Sequence, residues 1–502
     1  MKKAPKNIRI RSKKWLLLAA IILLAAVIRF YDLTDPPLDF HPARQFHSAI
    51  IARGIYTRLG GVYPGWQAGL NIAQESSEIR IEPPILEYLV AITYRIFATD
   101  QLWIARIFSI IFWLAGGIGL FSLVKKMSNT AGAFIAVLFF LFLPYGVIAS
   151  RSFQPDPLMV TMSIFAYWGI WRWHQKPDNK TAILAGILSA AAILVKQVAV
   201  FYLLGGFAGL VIASMGLKKA LRERQVWLIG ILSLAPTLVY NLYGIFIQGT
   251  LAGQYSQRFF LDLLMDPRFY IRWTMKIRDT VGISVFLLFL FGVLLYKTKA
   301  KRGLMIGMLG GYLIYGFVFA YHISTHDYYQ LPLIPIVAIG LAPVADLIFQ
   351  RIQEIEHNRW VSFAAVGILI LAVGLSFWEA RTILKKEDFH EVPIEWKRVS
   401  DEMGGPQTPT AGLMSDYGAS LDYYAYILPA YWWPEEEGIL VREIMGDDLE
   451  SLFERRTYAK QYFIITDFDE FNDQPGLKAL LYDQFPIFKQ KEYYLIFDLK
   501  GK

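Results

Sequence analysis

Residues 1–30 read MKKAPKNIRIRSKKWLLLAAIILLAAVIRF, and this stretch assigns the chain to a membrane. Lys and Arg residues crowd the first fourteen positions, and an apolar run from Trp15 to Phe30 follows at once. No small-residue cleavage site follows the run, because the chain continues as RFYDLTDPPLDF (29–40). A basic segment before an uncleaved apolar run is typical of a first membrane span with a cytoplasmic N-terminus.

The composition of the whole chain indicates the same class. Hydrophobic residues make up 55% of the 502 residues and charged residues 18%, whereas soluble domains carry about 25% charge. The net charge of +8 is the balance expected of basic cytoplasmic loops, so nucleic acid is not predicted as a partner. The absence of cysteine excludes disulfides, a thiolate nucleophile, cysteine-ligated zinc and iron–sulfur chemistry.

Further apolar runs predict about eleven membrane spans in total. They lie at 103–124, 131–149, 157–173, 181–195, 198–214, 226–247, 282–296, 303–321, 329–348 and 360–378. Alternating the spans from a cytoplasmic N-terminus puts five basic loops inside, at 125–129, 172–180, 217–224, 297–302 and 350–359. This agrees with the positive-inside rule and predicts a multi-pass protein of the cell membrane with its tail outside.

The predicted fold class is a polytopic α-helical membrane protein with a small C-terminal α/β domain. Residues 1–378 form the transmembrane module, which includes a long first outer loop (31–102) with juxtamembrane helices. Residues 379–502 alternate short β-rich runs, such as QYFIITDF (461–468), with helix-like stretches, such as GLKALLYDQF (476–485). That alternation predicts a small extracytoplasmic α/β domain.

Asp39 is the first candidate for chemistry, because it follows the first span by only a few residues. The chain therefore tethers its carboxylate near the outer membrane surface, and Pro36 and Pro37 restrict the approach to it. A carboxylate in this position suits the deprotonation of an acceptor hydroxyl. A solvated loop carboxylate would give the same pattern.

Arg151, Asp156 and Lys196 are the next candidates. Arg151 and Asp156 lie in ASRSFQPDPLM (149–159), between two spans, and Lys196 is a lone cation between two apolar runs. Charged groups near lipid are costly and usually face a cavity, where the two cations suit an anionic lipid phosphate. The alternatives are a structural Arg–Asp salt bridge and a lysine that extends to the membrane interface as an anchor.

A fourth cluster lies in HISTHDYYQLPLIP (322–335), at the outer mouth of the tenth span. His322, His326 and Asp327 are metal-ligating residue types, so a divalent metal stays open as a cofactor, although nothing in the sequence requires one. His326 and Asp327, together with Glu82, equally suit contacts to an acceptor or to the wall of the cavity. All these clusters fall on the predicted outer side, while the span centres are largely free of charge, which favours an interfacial enzyme over a transporter.

Several stretches together resemble the C-type (GT-C) membrane glycosyltransferases, in the bacterial branch related to protein O-mannosyltransferases and lipid A aminoarabinose transferases. The stretches that carry this resemblance are PPLDFHPARQFHSAIIARGIY (36–56), EPPILEYLVA (82–91), ARIFSIIFWLAGGIGLFSLVKKM (105–127), SRSFQPDPLMVTMSIFAYWGI (150–170), AILAGILSAAAILVKQ (182–197) and HDYYQLPLIPIVAIGLA (326–342). The resemblance covers about residues 15–345, and the tail matches no pattern that we recognise.

The resemblance implies transfer of a sugar from a polyprenyl-phosphate donor on the extracytoplasmic face, usually with inversion. Asp39 matches the catalytic aspartate of the first loop, Asp156 the acidic position after the third span, and Lys196 a basic position near the donor phosphate. Two positions depart from the family pattern. Phe40 follows Asp39 where the family often has Glu, and Glu82 precedes the double proline where the aminoarabinose transferases have Lys.

The leading interpretation is therefore an inverting glycosyltransferase whose acceptor is a lipid, a protein or a glycan. A lipid flippase or secondary transporter would place charges within the spans and would not need a large first loop. A catalytically degenerate member acting as a binding subunit is the other alternative, motivated by the missing Asp-Glu pair at residues 39–40.

Overall fold

The computed structural model describes residues 6–251, 253, 259–354, 359–386, 388–446 and 448–501. Lys2 and Lys3 of the predicted cytoplasmic N-terminus, and residues 355–358 of the last predicted inside loop, lie outside the described residues.

Helices dominate the first 300 residues. In chain order they are α1 (Lys6–Phe30), α2 (Pro42–Arg58), α3 (Gly65–Ser77), α4 (Ile85–Phe97), α5 (Trp103–Met127), α6 (Thr130–Phe142), α7 (Pro144–Ala149), α8 (Asp156–Gln175), α9 (Asn179–Val195), α10 (Ala199–Met215), α11 (Leu217–Ala220), α12 (Arg224–Phe246), α13 (Pro267–Val281) and α14 (Ile283–Leu295).

The remainder adds ten helices and a sheet. The helices are α15 (Lys299–Val318), α16 (Ala320–Thr325), α17 (Leu333–Glu354), α18 (Arg359–Lys386), α19 (Val392–Met403), α20 (Ala419–Ala425), α21 (Glu435–Met445), α22 (Leu449–Thr457), α23 (Phe468–Asp473) and α24 (Pro475–Gln484). The strands are β1 (Thr410–Leu413), β2 (Ala430–Tyr431), β3 (Tyr462–Ile465), β4 (Ile487–Lys491) and β5 (Tyr494–Asp498).

Each predicted apolar run is largely helical, with short breaks at Leu143, at Phe319 and at residues 331–332. The run 131–149 is split into α6 and α7 at Leu143, because Pro144 lacks the N–H that would continue the helix. Among the described residues, four helices are long and apolar enough to cross a membrane: Trp103–Met127, Arg224–Phe246, Asp327–Glu354 and Trp360–Lys386. Helices α13 and α14 would add a fifth span if taken together, and they are bent by 87° at Gly282, whose φ of +81° is accessible to glycine.

The contacts divide the chain into two units. The first unit comprises residues 1–33, 79–93 and 103–387, and the second comprises 34–78, 94–102 and 388–502. In the first unit, α10 packs closely on α15 through small residues. A Cβ atom added at Gly205 would lie 2.5 Å from the carbonyl oxygen of Gly307, so only glycine permits this approach of the two backbones.

The second unit contains a five-stranded mixed sheet in the order β2-β1-β3-β5-β4. Strands β1, β2 and β3 are parallel, while β5 pairs antiparallel with both β3 and β4. The central strands β1, β3 and β5 are buried almost throughout, because side chains from helices pack on both faces of the sheet. The predicted β-rich run QYFIITDF (461–468) thus coincides with β3, and the predicted helix-like stretch GLKALLYDQF (476–485) with α24.

Helix α2 also belongs to the second unit, and most of it is buried although it carries several charged residues. Arg53 explains how a charged residue is accommodated there. Its guanidinium donates to the Tyr423 carbonyl oxygen at 2.7 Å and to Gln74 Oε1 at 2.8 Å. It also lies 4.1 Å from the centre of the Tyr423 ring, within the range of a cation–π contact.

Candidate functional site

The segment between α7 and α8, residues 150–155 (the α7–α8 connection), is buried although it is polar. Ser150, Arg151, Ser152 and Gln154 are all at most 2% exposed, and Asp156, the first residue of α8, is 1% exposed. Prolines at positions 155 and 157 fix the backbone where α8 begins. The carboxylate of Asp156 therefore lies in the first turn of a helix, where the helix dipole favours negative charge.

Asp156 and Lys196 form a buried ion pair. Lys196 Nζ donates to Asp156 Oδ1 at 2.7 Å, and the side chains are only 4% and 1% exposed. The lysine is the first residue after α9, which packs against α8, so the contact between these helices brings the two residues together. Among the residues that the structure describes, Asp156 Oδ2 accepts no hydrogen bond.

Two tyrosine rings also lie close to Lys196. Its ammonium lies 5.0 Å from the ring centre of Tyr328 and 5.3 Å from that of Tyr329, both within cation–π range. These rings come from the predicted 322–335 cluster, which thus contributes aromatic faces to the site. His326 Nδ1 lies 2.8 Å from Thr325 Oγ1, and the ring centres of His322 and His326 are 6.0 Å apart.

Buried arginines lie next to the α7–α8 connection. Arg29 Nε donates to Ser150 Oγ at 2.7 Å, and Arg151 Nη2 donates to the Asp32 carbonyl oxygen at 2.6 Å. Arg106 Nη1 approaches the same carbonyl oxygen at 3.5 Å. Asp32 has a φ of +48°, a left-handed conformation that is strained for a residue other than glycine. The guanidiniums make this part of the first unit strongly positive, which favours an anionic ligand.

Sequence reasoning singled out Arg151 but missed Arg29 and Arg106. Arg29 and Arg106 each lie at the outer end of an apolar run. The argument that selected Lys196, that a charged residue near lipid usually faces a cavity, would therefore have selected them too. Gln154 was missed for another reason. Nothing in a sequence distinguishes a buried glutamine from an exposed one.

Asp39 lies in the second unit, half-buried in the loop before α2. Gln45 holds this loop: its Nε2 donates to the carbonyl oxygens of Pro37 at 3.2 Å and of Phe40 at 2.6 Å. These bonds fix the backbone on both sides of Asp39, so Gln45 is a positioning residue that the sequence did not reveal. Glu82, in the first unit, is also half-buried, directly before Pro83.

One group of side chains among the described residues has the geometry to hold a metal ion. One potential ligand atom from each of Asp35, Asp388 and His390 lies within 4.8 Å of the other two. The group is already in contact, because His390 Nδ1 is hydrogen-bonded to Asp388 Oδ1 at 2.7 Å and lies 3.3 Å from Asp35 Oδ1. The hydrogen bond from the His390 side chain is the main cause that lowers the pKa of Asp388 below its ordinary value. The histidine thus stabilises the charged form of Asp388.

The fold is that of the C-type membrane glycosyltransferases. ArnT from Cupriavidus metallidurans in the apo state superposes with a TM-score of 0.58 at 13% identity, over 97% of this chain and 98% of that one. ArnT bound to undecaprenyl phosphate gives 0.57 at 14% identity, over 96% and 98%. The archaeal oligosaccharyltransferase AglB from Archaeoglobus fulgidus, in complex with an inhibitory peptide and a dolichol-phosphate, gives 0.53 at 12% identity, over 91% and 69%.

The sequence comparison points to the same group. Residues 81–242 match the family described as dolichyl-phosphate-mannose-protein mannosyltransferase. No curated protein sequence matches the chain. The resemblance predicted from the sequence motifs is therefore confirmed, and the chain is a multi-pass membrane protein of mannosyltransferase-like fold.

Proposed function

We propose that the chain is a membrane glycosyltransferase that moves a sugar from a polyprenyl-phosphate donor to an acceptor, with inversion at the anomeric carbon. The observation that carries the proposal is the buried Asp156–Lys196 ion pair, whose second carboxylate oxygen has no partner among the described residues. A pair built only for stability would be expected to satisfy both oxygens. The neighbouring arginines add the positive charge that a phosphodiester requires.

The reaction can be written with the residues present. The acceptor hydroxyl oxygen attacks the anomeric carbon, its proton passes to Asp39, and the bond between that carbon and the phosphate oxygen breaks. Polyprenyl phosphate leaves with one more negative charge, which Lys196 and Arg151 stabilise. A phosphate held by cations is already a good leaving group, so one general base is sufficient. Asp156 orients Lys196 and, through its second oxygen, the sugar or the acceptor.

Two departures from the family pattern limit what is proposed about the substrates. Glu82 replaces a cationic residue of the aminoarabinose transferases, so we do not assign their sugar to this chain. Phe40 after Asp39 leaves one carboxylate where the family often has two, which is why Asp39 alone is proposed as the base. A divalent metal at His322, His326 and Asp327 stays a prediction, and metal analysis of the purified protein would test it.

The proposal is tested by incubating purified protein with polyprenyl phosphate that carries a radiolabelled sugar, together with a membrane extract that supplies lipid, protein and glycan acceptors. We expect the label to leave the lipid in the wild type and to remain on it in Asp39→Asn. Label that stays on the lipid with wild-type protein, across lipids carrying mannose, glucose and aminoarabinose, would contradict an enzyme. That result, combined with retained lipid binding, would favour a flippase or a binding subunit.

The proposed topology has eleven spans, a cytoplasmic N-terminus and residues 379–502 outside the cell membrane. The basic character of the predicted inside loops supports it. A reporter that is active only in the cytoplasm, fused after residue 502, should stay silent, whereas the same reporter fused in the loop 217–224 should be active. Activity of the C-terminal fusion would overturn the topology and the side on which transfer occurs.

A further inference from the structure

Gln154 in the α7–α8 connection is completely buried, and its polar atoms are unsatisfied. Its exposure is 0%, and neither Oε1 nor Nε2 has a hydrogen-bond partner among the residues that the structure describes. The great majority of buried side-chain polar atoms in proteins are hydrogen-bonded. A buried amide without bonds lowers stability, and an apolar side chain of similar size would avoid this cost.

A second glutamine in the same unit shows the ordinary arrangement. Gln330 is also 0% exposed, but its Nε2 donates to the Ile323 carbonyl oxygen at 2.8 Å and its Oε1 accepts from the Tyr312 hydroxyl. The fold thus gives both ends of one buried glutamine a partner and leaves the other glutamine without a partner among the described residues. Gln154 lies two residues before Asp156, whose Oδ2 is also unpartnered among the described residues, so two unsatisfied polar groups lie in one short segment of the chain.

The chemistry of the amide restricts what can satisfy it. Its carbonyl oxygen accepts hydrogen bonds, and its nitrogen donates two. A phosphodiester offers only acceptors, so it would satisfy Nε2 and leave Oε1 unbonded. A sugar hydroxyl both donates and accepts, and two hydroxyls on adjacent carbons can satisfy both ends of the amide. Asp156 Oδ2 accepts only, and a hydroxyl also suits it.

We infer that Gln154 binds hydroxyl groups of the donor sugar and helps to select that sugar, rather than binding the phosphate. This inference rests on the proposed function, because it requires a sugar-bearing lipid in the same site. Two tasks are thus assigned to different side chains: Lys196 and Arg151 hold the phosphate, and Gln154 binds the sugar. Hydrogen bonds to the sugar hydroxyls would give the buried amide the partners that the described residues do not provide.

The test compares Gln154→Leu with Gln330→Leu in the full-length purified protein. Without ligand, we expect Gln154→Leu to melt at the wild-type temperature or above it, because the substitution removes an unsatisfied buried amide. Gln330→Leu should melt below the wild type, because it leaves the Tyr312 hydroxyl and the Ile323 carbonyl without their partner. If Gln154→Leu lowers the melting temperature by as much as Gln330→Leu does, the Gln154 amide is already hydrogen-bonded without ligand. That result would overturn the inference.

Binding then separates the sugar from the phosphate. The probes are bare decaprenyl phosphate and decaprenyl phosphate carrying mannose, glucose or N-acetylglucosamine. We expect the wild type to prefer one sugar-bearing lipid over the bare one, and Gln154→Leu to bind that lipid about tenfold more weakly, the effect of one or two lost hydrogen bonds. Affinity for the bare lipid should not change.

The other outcomes distinguish the two proposals. An equal loss for bare and sugar-bearing lipids would overturn the inference and assign Gln154 to the phosphate. No loss for either lipid, or no wild-type preference for any sugar, would also overturn it and leave an internal water as the partner of the amide. A wild type that binds none of the lipids would overturn the proposed function itself. Gln154→Met replaces Gln154→Leu if the branched side chain prevents folding.

Discussion

Two buried carboxylates, Asp156 in the first unit and Glu395 in the second, are treated differently by the fold. Glu395 is 4% exposed and has partners on both oxygens. Its Oε1 accepts from the Tyr494 hydroxyl at 2.5 Å and from Lys491 Nζ at 2.9 Å, and its Oε2 pairs with Arg398. Asp156 uses one oxygen for Lys196 and leaves the other unbonded among the described residues. A carboxylate with both oxygens hydrogen-bonded within the protein stabilises the fold, whereas a carboxylate with one unbonded oxygen can still bind a ligand.

Replacing Asp39, the proposed base, is expected to have the largest effect on turnover. It also separates the role of Asp39 from that of Asp156. Asp39→Asn keeps the size of the side chain but removes the proton acceptor, so turnover should fall by about 10²–10⁴-fold while donor binding persists. Single-turnover kinetics with labelled donor would measure it. Near-normal turnover in Asp39→Asn, together with an inactive Asp156→Asn, would make Asp156 the base and reverse the two assignments.

Breaking the Asp156–Lys196 pair should have the next largest effect. Lys196→Met leaves a buried carboxylate without its cation, which typically costs about 3–5 kcal/mol of stability. The double variant Lys196→Met/Asp156→Leu removes both charges and should recover most of that stability, yet remain inactive. Thermal unfolding in detergent would measure both. A double variant that regains turnover would show that the pair only supports the fold.

Glu395→Gln tests whether the fully bonded carboxylate of Glu395 contributes to stability and not to turnover. Loss of the charged hydrogen bonds from Tyr494 and the surrounding cations should lower stability by about 1–3 kcal/mol. Turnover per folded molecule should stay at the wild-type value, because a saturated carboxylate has no capacity left for substrate. A loss of turnover without a loss of stability would remove the distinction between the two carboxylates.

The smallest effect concerns Asp422 in the second unit, whose pKa is raised above its ordinary value of 3.8, chiefly by burial. A raised pKa means that the folded protein binds the proton more tightly, so the contribution of this group to stability is lost as pH rises through the raised pKa. Asp422→Asn keeps the Oδ1 that accepts from Gln74 at 2.7 Å and carries no charge. The variant should therefore melt slightly above the wild type at pH 7, with the difference shrinking toward pH 4. A variant that is less stable at pH 7 would contradict the burial argument.

Much of the secondary structure could be predicted from the sequence, because apolar runs of membrane length fold as helices almost independently of context. The break at Leu143 was overlooked, although Pro144 signals it. Strand β2 was not predicted because it has only two residues, and β4 because its sequence, IFKQK, is mostly polar. The burial of α2 depends on contacts of Arg53 with Tyr423, far along the chain, which no local pattern contains.

For the site, charge at the outer ends of the spans was sufficient to select Arg151, Asp156 and Lys196. That Asp156 pairs with Lys196 could not be predicted, because the two residues are forty positions apart and meet only through the packing of α8 on α9. The same limit applies to Gln45 and Gln154, whose roles depend on which polar atoms are satisfied in the folded chain.

The central claim is that the buried cation Lys196 holds the phosphate of a polyprenyl lipid, and lipid binding tests it most directly. Undecaprenyl phosphate is added to purified wild type, Lys196→Gln and the control Lys125→Gln, which changes an exposed lysine at the end of α5. The readout is the rise in melting temperature caused by the lipid, compared within each variant. We predict that the lipid stabilises the wild type and Lys125→Gln equally and has little effect on Lys196→Gln. Equal stabilisation of all three proteins would show that Lys196 does not bind the phosphate.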